Sequence, residues 1–279
     1  MPLFVQLLGL CFLACLLMGA ILAYLGIHVL KREVIFIDIA VAQVAAVGSI
    51  AAHLAFDAEQ DSLLAYTTSL LCVLLISAFY AAARTAVMQV SIEAVIGISY
   101  AITAAAAMFL IGMHPGHVHA EEMLAGSLLW VTWRHIIASA AVFSTVGILL
   151  YLFRKPISQV SQDYDRAMAA GLKVMRWDFL FYALLGAVIT LAVRISGVVS
   201  VFAFLIIPAT ASALFARGWA ARLLIAWAMA AVASVAGLLF AYHFDFSLGP
   251  AIALFLGIIL TVAAISAKLR RIPSVPLSR

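Results

Sequence analysis

Residues 114–122 read His-Pro-Gly-His-Val-His-Ala-Glu-Glu, which places three imidazoles and two carboxylates within nine residues. Imidazole nitrogen and carboxylate oxygen are the donors that borderline divalent metals prefer. Pro115-Gly116 is a turn signal that folds such a stretch back on itself. His114, His117, His119, Glu121 and Glu122 are therefore candidate metal ligands in a loop that collects ions transiently. The same chemistry recurs more thinly at His53 with Asp57, Glu59 and Asp61, at His135, and at His243 with Asp245 ahead of a Gly249-Pro250 stop. For any one of these loops the plainer explanation is that acids and histidines fill space from which Lys and Arg are excluded. Five ligands in one short loop outweigh it at 114–122.

A second set of polar groups lies inside apolar runs, where an ionisable side chain is costly and by default functional. Asp38 and Gln43 share one such run, and Glu93 opens another, with Gly97 one turn on. At 100° per residue Asp38 and Gln43 stand about 140° apart, so they do not share a narrow face. Gln43, Ala46 and Val47 fit one stripe. The structural alternative pairs Asp38 and Glu93 with Arg32 or Arg84. For Gln43 it is an interhelical hydrogen bond, worth only about 0.6 kcal/mol in membranes. Pro208, in Phe-Leu-Ile-Ile-Pro-Ala-Thr-Ala-Ser-Ala, removes a backbone hydrogen bond and frees the carbonyl of Phe204. The small residues after it permit close helix approach, which suits either a gate or tight packing.

The elements that must hold these groups follow from the apolar excess. Hydrophobic residues make up 67% of the 279 and charged residues 10%, against about 45–50% and about 25% in a soluble domain. Burial in a water-bounded core cannot absorb that excess, which excludes a soluble enzyme, a secreted disulfide scaffold and a disordered linker. Cys11, Cys15 and Cys72 all lie in apolar runs and give no disulfide framework. Cys11 and Cys15 share a helix face, a place where cysteine more often packs than ligates. The net charge of +4 is spread singly or in pairs between apolar runs. That fits a membrane protein and gives no footing for a nucleic-acid partner.

A span needs about 20 mainly apolar residues. That length predicts an all-α polytopic membrane bundle of about nine spans, at 3–27, 34–56, 63–83, 92–113, 134–153, 178–195, 198–215, 220–242 and 249–267. The sixth and seventh are the shortest and meet at Ser196-Gly197, which predicts a short hairpin near 178–215. No cleavable leader is expected, since the first Lys is residue 31. With the N-terminus outside and the C-terminus in the cytoplasm, all of the 16 basic residues except Arg134 and Arg194 fall inside. Of the histidines only His28 is then inside. Residues 163–171, Asp-Tyr-Asp-Arg-Ala-Met-Ala-Ala-Gly, predict a short cytoplasmic helix that Asp163 caps and Gly171 ends. Such a helix is too short to stand alone, so it needs a membrane surface or a partner. There is no phosphate-binding G-x-x-x-x-G-K-[ST], no H-E-x-x-H and no G-x-S-x-G, so neither ATP binding of that kind nor those hydrolytic chemistries are expected.

From about residue 20 to 267 the chain resembles the permease subunits of zinc/manganese/iron ABC transporters. The most specific stretch is Ser196-Gly197 through Pro208-Ala-Thr-Ala, which is similar to the family's glycine-to-proline signature. Asp165, Ala167 and Gly171 match its Asp-x-Ala-x-x-x-Gly loop, which implies that they dock the ATPase subunit. Glu93 to Gly97, Gly126, and Asp245 with Gly249-Pro250 resemble further family positions. One departure stands out. Aligned on Gly48, the family's Asp and His four apart in the second span become Ile39 and Gln43, with Asp38 one residue early.

The resemblance implies a transmembrane permease domain at 1–267, a docking segment at about 154–178 and a cytoplasmic tail at 268–279. It implies an importer in the inner (plasma) membrane, two copies of this chain, a cytoplasmic ATP-binding subunit and an extracytoplasmic metal-binding protein. The metal would be cargo, with no tightly bound cofactor. Asp38, Gln43 and Asp245 would serve the metal path, and Gly197 and Pro208 a gate or kink. The His-rich loop favours zinc first, then manganese or iron. A stand-alone secondary transporter or channel, and an importer of a metal chelate, are the alternatives.

Overall fold

The computed structural model describes residues 2–59, 62–86, 90–113 and 128–269, and in these it is helical with short turns. The helices are α1 (Pro2–Lys31), α2 (Ile37–Phe56), α3 (Leu63–Ala86), α4 (Ile92–Met113) and α5 (Trp133–Leu152). After them come two short ones, α6 (Arg154–Gln162) and α7 (Tyr164–Ala169). The last four are α8 (Val174–Ser196), α9 (Val198–Phe215), α10 (Trp219–Phe244) and α11 (Leu248–Leu269). Among the described residues nine helices are long and apolar enough to cross a membrane, all but α6 and α7.

The pair α8–α9 is the hairpin that the apolar pattern predicts, with a first arm longer than that pattern gives. Its first arm begins at Val174 and runs 23 residues, about 34 Å at 1.5 Å per residue. The apolar pattern stops at Asp178, but the helix does not, because Arg32 neutralises that carboxylate inside the fold. The second arm has 18 residues, about 27 Å, close to the hydrocarbon thickness of about 30 Å. Gly197 joins the arms at φ 80° and ψ 161°, a conformation essentially reserved for glycine. Pro208 does not interrupt α9.

The spans pack in two groups. One is built from α2, α3, α4 and α8, the other from α1, α9, α10 and α11, and α5 lies against α1 and α8. Small residues set the closest crossings. A Cβ on Gly26 would sit 1.8 Å from the carbonyl oxygen of Leu205 and 3.1 Å from Cβ of Ala209. Ala209, the first small residue after Pro208, is thus packed against α1. In the other group, a Cβ on Gly48 would meet the Ser69 backbone at 2.8 Å.

The chain reversals sort the polar residues by end. At one end Lys31 stands over Trp219, Ser161 meets His28, and Phe36 N–H donates to Glu93. This is the basic end. At the opposite end Cys11 donates to the carbonyl of Leu128, and Arg194 reaches Ser49 and Ser69.

Candidate metal path and docking segment

Asp38 lies in the first turn of α2 at the basic end and is 1% exposed. Neither carboxylate oxygen has a hydrogen-bond partner among the described residues. Glu93, from the first turn of α4, reaches the start of α2. Its Oε1 accepts from Phe36 N–H at 3.1 Å, and its buried Oε2 has no partner among the described residues. Asp38 and Glu93 thus make a pair of first-turn acids with three buried oxygens unpartnered among the described residues, where burial of charge is expensive.

Gln43 is not part of this pair. With Ile39 and Val47 it forms a half-buried stripe on another face of α2, as the angular spacing predicts. Asp245 is exposed and terminates α10 in the left-handed region at φ 51°. Asp57 does the same for α2 at φ 54°. His53 Nδ1 bonds the carbonyl of Ala58, and His135 Nδ1 accepts from Thr132 N–H at the start of α5. These two histidines serve the turns that hold them. Among the described residues no three of His, Cys, Asp or Glu gather as a metal site. His114, His117, His119, Glu121, Glu122 and Gly126 lie outside the described residues.

The pairing of Asp38 or Glu93 with Arg32 or Arg84 is not found. Both arginines instead turn to Asp178, which the sequence reading did not single out. Arg32 and Asp178 form an ion pair with both side chains fully buried. The guanidinium carbon of Arg32 also lies 4.1 Å from the centre of the Phe181 ring. Arg84 approaches both Asp178 oxygens at 3.4 Å and stands 4.4 Å from the centre of the Tyr164 ring. Ser161 donates to the carbonyl of Ile157 and accepts from Arg32 Nε at 2.8 Å. Its hydroxyl hydrogen is spent on Ile157, so His28 Nδ1, 3.0 Å away, is the donor of that contact. The available signal in the sequence was an acid beside the apolar start of a span.

The short helix at 163–171 forms as its sequence dictates. Asp163 Oδ1 accepts from Arg166 N–H at 2.9 Å at the start of α7. At the other end Gly171, at φ 80°, donates to the carbonyl of Met168, and Leu172 donates to that of Ala167. These two bonds make a Schellman stop. Ala167 is buried against Val160 and Val174, while Asp165, Met168 and Gly171 are exposed. A cavity of about 270 Å³ separates Tyr164, Asp165 and Met168 from the facing ends of α3 and α4. Burial, then the charge of Asp178, push the Tyr164 phenol above its ordinary range.

At the opposite end a cavity of about 470 Å³ is lined by Tyr66, Thr132, Arg134, His135 and Arg194, among others. It brings together the two basic residues that the charge pattern sets apart from the rest.

A multi-pass membrane bundle with a capped, exposed segment between spans is the class that fold and site define. Residues 5–267 match the model of the ABC 3 transport family. The chain belongs to that family. It is 29% identical over 179 residues to the manganese import system permease protein ScaB of Streptococcus gordonii, covering 64% of each chain. It is 24% identical over 157 residues to the chelated iron transport system membrane protein YfeC of Yersinia pestis, covering 56% of this chain and 53% of that one. The chain thus spans about half to two-thirds of the length of these curated relatives. The fold is similar to that of PsaBC from Streptococcus pneumoniae, solved with a Fab, at a TM-score of 0.76 and 20% identity, over 93% of this chain and 92% of that one.

Proposed function

We propose that this chain is the membrane permease subunit of an ATP-driven importer of a divalent transition metal. The observation that carries the reading is the pair of first-turn acids Asp38 and Glu93, whose side chains leave three buried oxygens unpartnered among the described residues. A cation in transit offsets the cost of holding such oxygens out of water. The relatives named for manganese and for chelated iron move those metals ahead of zinc, which the His-rich loop alone favoured. The basic end faces the cytoplasm of the cell's inner membrane. There the exposed face of α7, with Asp165 and Gly171, docks a separate ATP-binding subunit. An extracytoplasmic metal-binding protein delivers the ion at the opposite end, and the loop at 114–122 receives it. A second copy of the chain packs on the half-exposed side formed by α2 and α4. It thereby closes the Ile39–Gln43–Val47 stripe into part of the path. The ion is cargo.

The chelate reading has one observation in its favour. Arg134 and Arg194 line the cavity at the delivering end, and guanidinium groups repel a bare dication but attract a metal carried by carboxylates.

The test is ATP hydrolysis by the complex purified from its native membrane in mild detergent. Stimulation by Mn²⁺ or Fe²⁺ exceeding that by Zn²⁺ is expected, and a chelated ion exceeding the free one would favour the second reading. Replacing His114, His117 and His119 together by alanine is expected to raise the metal concentration needed for half-maximal uptake. Unchanged uptake at low metal removes the loop from the path. An isolated chain that carries metal without any ATP-binding partner sinks the importer reading.

A further inference from the structure

We propose that Ser161 and Tyr164 act on one carboxylate, Asp178, through two arginines, and so transmit movement of the docking segment to the spans. The inference rests on the permease reading above. The geometry is convergent. Ser161 lies in the last turn of α6 and holds Arg32 of α1, at 2.8 Å to Nε. Tyr164 opens α7, three residues on, and its ring stands 4.4 Å under the guanidinium of Arg84 of α3. Both arginines then bind Asp178 of α8. A single short stretch, 161–164, thereby grips the two cations that share one anion.

The two grips are unequal. Arg32 is fully buried, paired with Asp178 and stacked on Phe181. Arg84 is 14% exposed in its side chain, and its contacts to Asp178 are long, at 3.4 Å. A carboxylate between two cations at unequal distance is a two-position element. When α7 is pulled away with its partner, Tyr164 draws Arg84 out and Asp178 is left to Arg32. When α7 is pushed in, toward the cavity of about 270 Å³ it shares with α3 and α4, Arg84 closes on Asp178 and ties α3 to α8. Asp38 and Glu93 start the helices beside α3, so the same movement changes the gap between them. Arg84, Tyr164 and Asp178 are positioning residues. None of them is placed in the metal path.

The experiment measures Mn²⁺ uptake and ATP hydrolysis together in liposomes holding the intact complex. In Arg84→Gln the buried Arg32–Asp178 pair survives. Uptake is expected to fall about 10-fold while ATP hydrolysis stays within about twofold, a loss within the usual range of coupling between two sites. Tyr164→Leu, which removes the ring, is expected to behave in the same way. Tyr164→Phe, which keeps the ring and drops a hydroxyl without a partner among the described residues, is expected to couple like the unmodified complex. Unchanged ions moved per ATP in Arg84→Gln and Tyr164→Leu overturns the relay. So does failure of both variants to assemble, since the contacts then only hold the fold together. Absence of Mn²⁺-dependent uptake in the unmodified complex is a different result, and it strikes the permease reading instead.

Discussion

Replacing Arg32 by methionine is expected to destabilise the folded chain by about 3–5 kcal/mol, the usual cost of removing one partner of a buried ion pair. The reason is what remains. Asp178 is wholly buried, and its other cation, Arg84, is 3.4 Å away and partly exposed. The change also strips Ser161 of one donor and removes the cation lying over the Phe181 ring. Methionine matches the length of the aliphatic stem, so the loss is electrostatic more than steric. The measurement is thermal unfolding of the detergent-purified protein. Removing both charges, in Arg32→Met with Asp178→Leu, is expected to recover most of the loss, because no buried ion is then left unpaired. A single variant as stable as the parent would show that the pair contributes little to holding α1 against α8.

Asp38→Asn is expected to do the opposite: to abolish transport and leave stability intact or improved. The carboxylate is 1% exposed and has no hydrogen-bond partner among the described residues to lose. A neutral amide of the same shape costs less to bury than a carboxylate. It also removes an anionic oxygen from the path of a dication. A contact of about 3 kcal/mol corresponds to about 100-fold in apparent affinity or uptake rate. The paired readout separates function from scaffolding. Lower thermal stability with normal Mn²⁺ uptake would make Asp38 a structural residue. Gln43→Ala is the internal comparison, since Gln43 lies on a different face of the same helix.

The contrast between these two sites shows what the sequence can and cannot express. Local geometry was legible. The angle between Asp38 and Gln43 follows from helical pitch and keeps them apart in the fold. The Asp163 cap and Gly171 stop are each written within a few residues, and both form with the expected bonds. The spans follow from hydropathy, save where an internal ion pair lets α8 begin before its apolar run. Long-range pairing was not legible. Arg32 and Asp178 are 146 residues apart, and nothing in either neighbourhood names the other. Nearness along the chain instead suggested that Arg32 would serve Asp38, which its position on α2 does not permit. The small residues after Pro208 illustrate a third case. Their composition suited a gate or a packing face, and only the fold shows Ala209 packed against α1, 3.1 Å from where a Cβ on Gly26 would sit.

The most direct measurement is ATP-driven uptake of Mn²⁺ into liposomes, with and without the ATP-binding subunit copurified from the native membrane. Accumulation is expected only when that subunit and hydrolysable ATP are on the side of the basic end and the metal-binding protein is on the other. Accumulation by the chain alone, driven by an ion gradient and indifferent to ATP, would contradict the account.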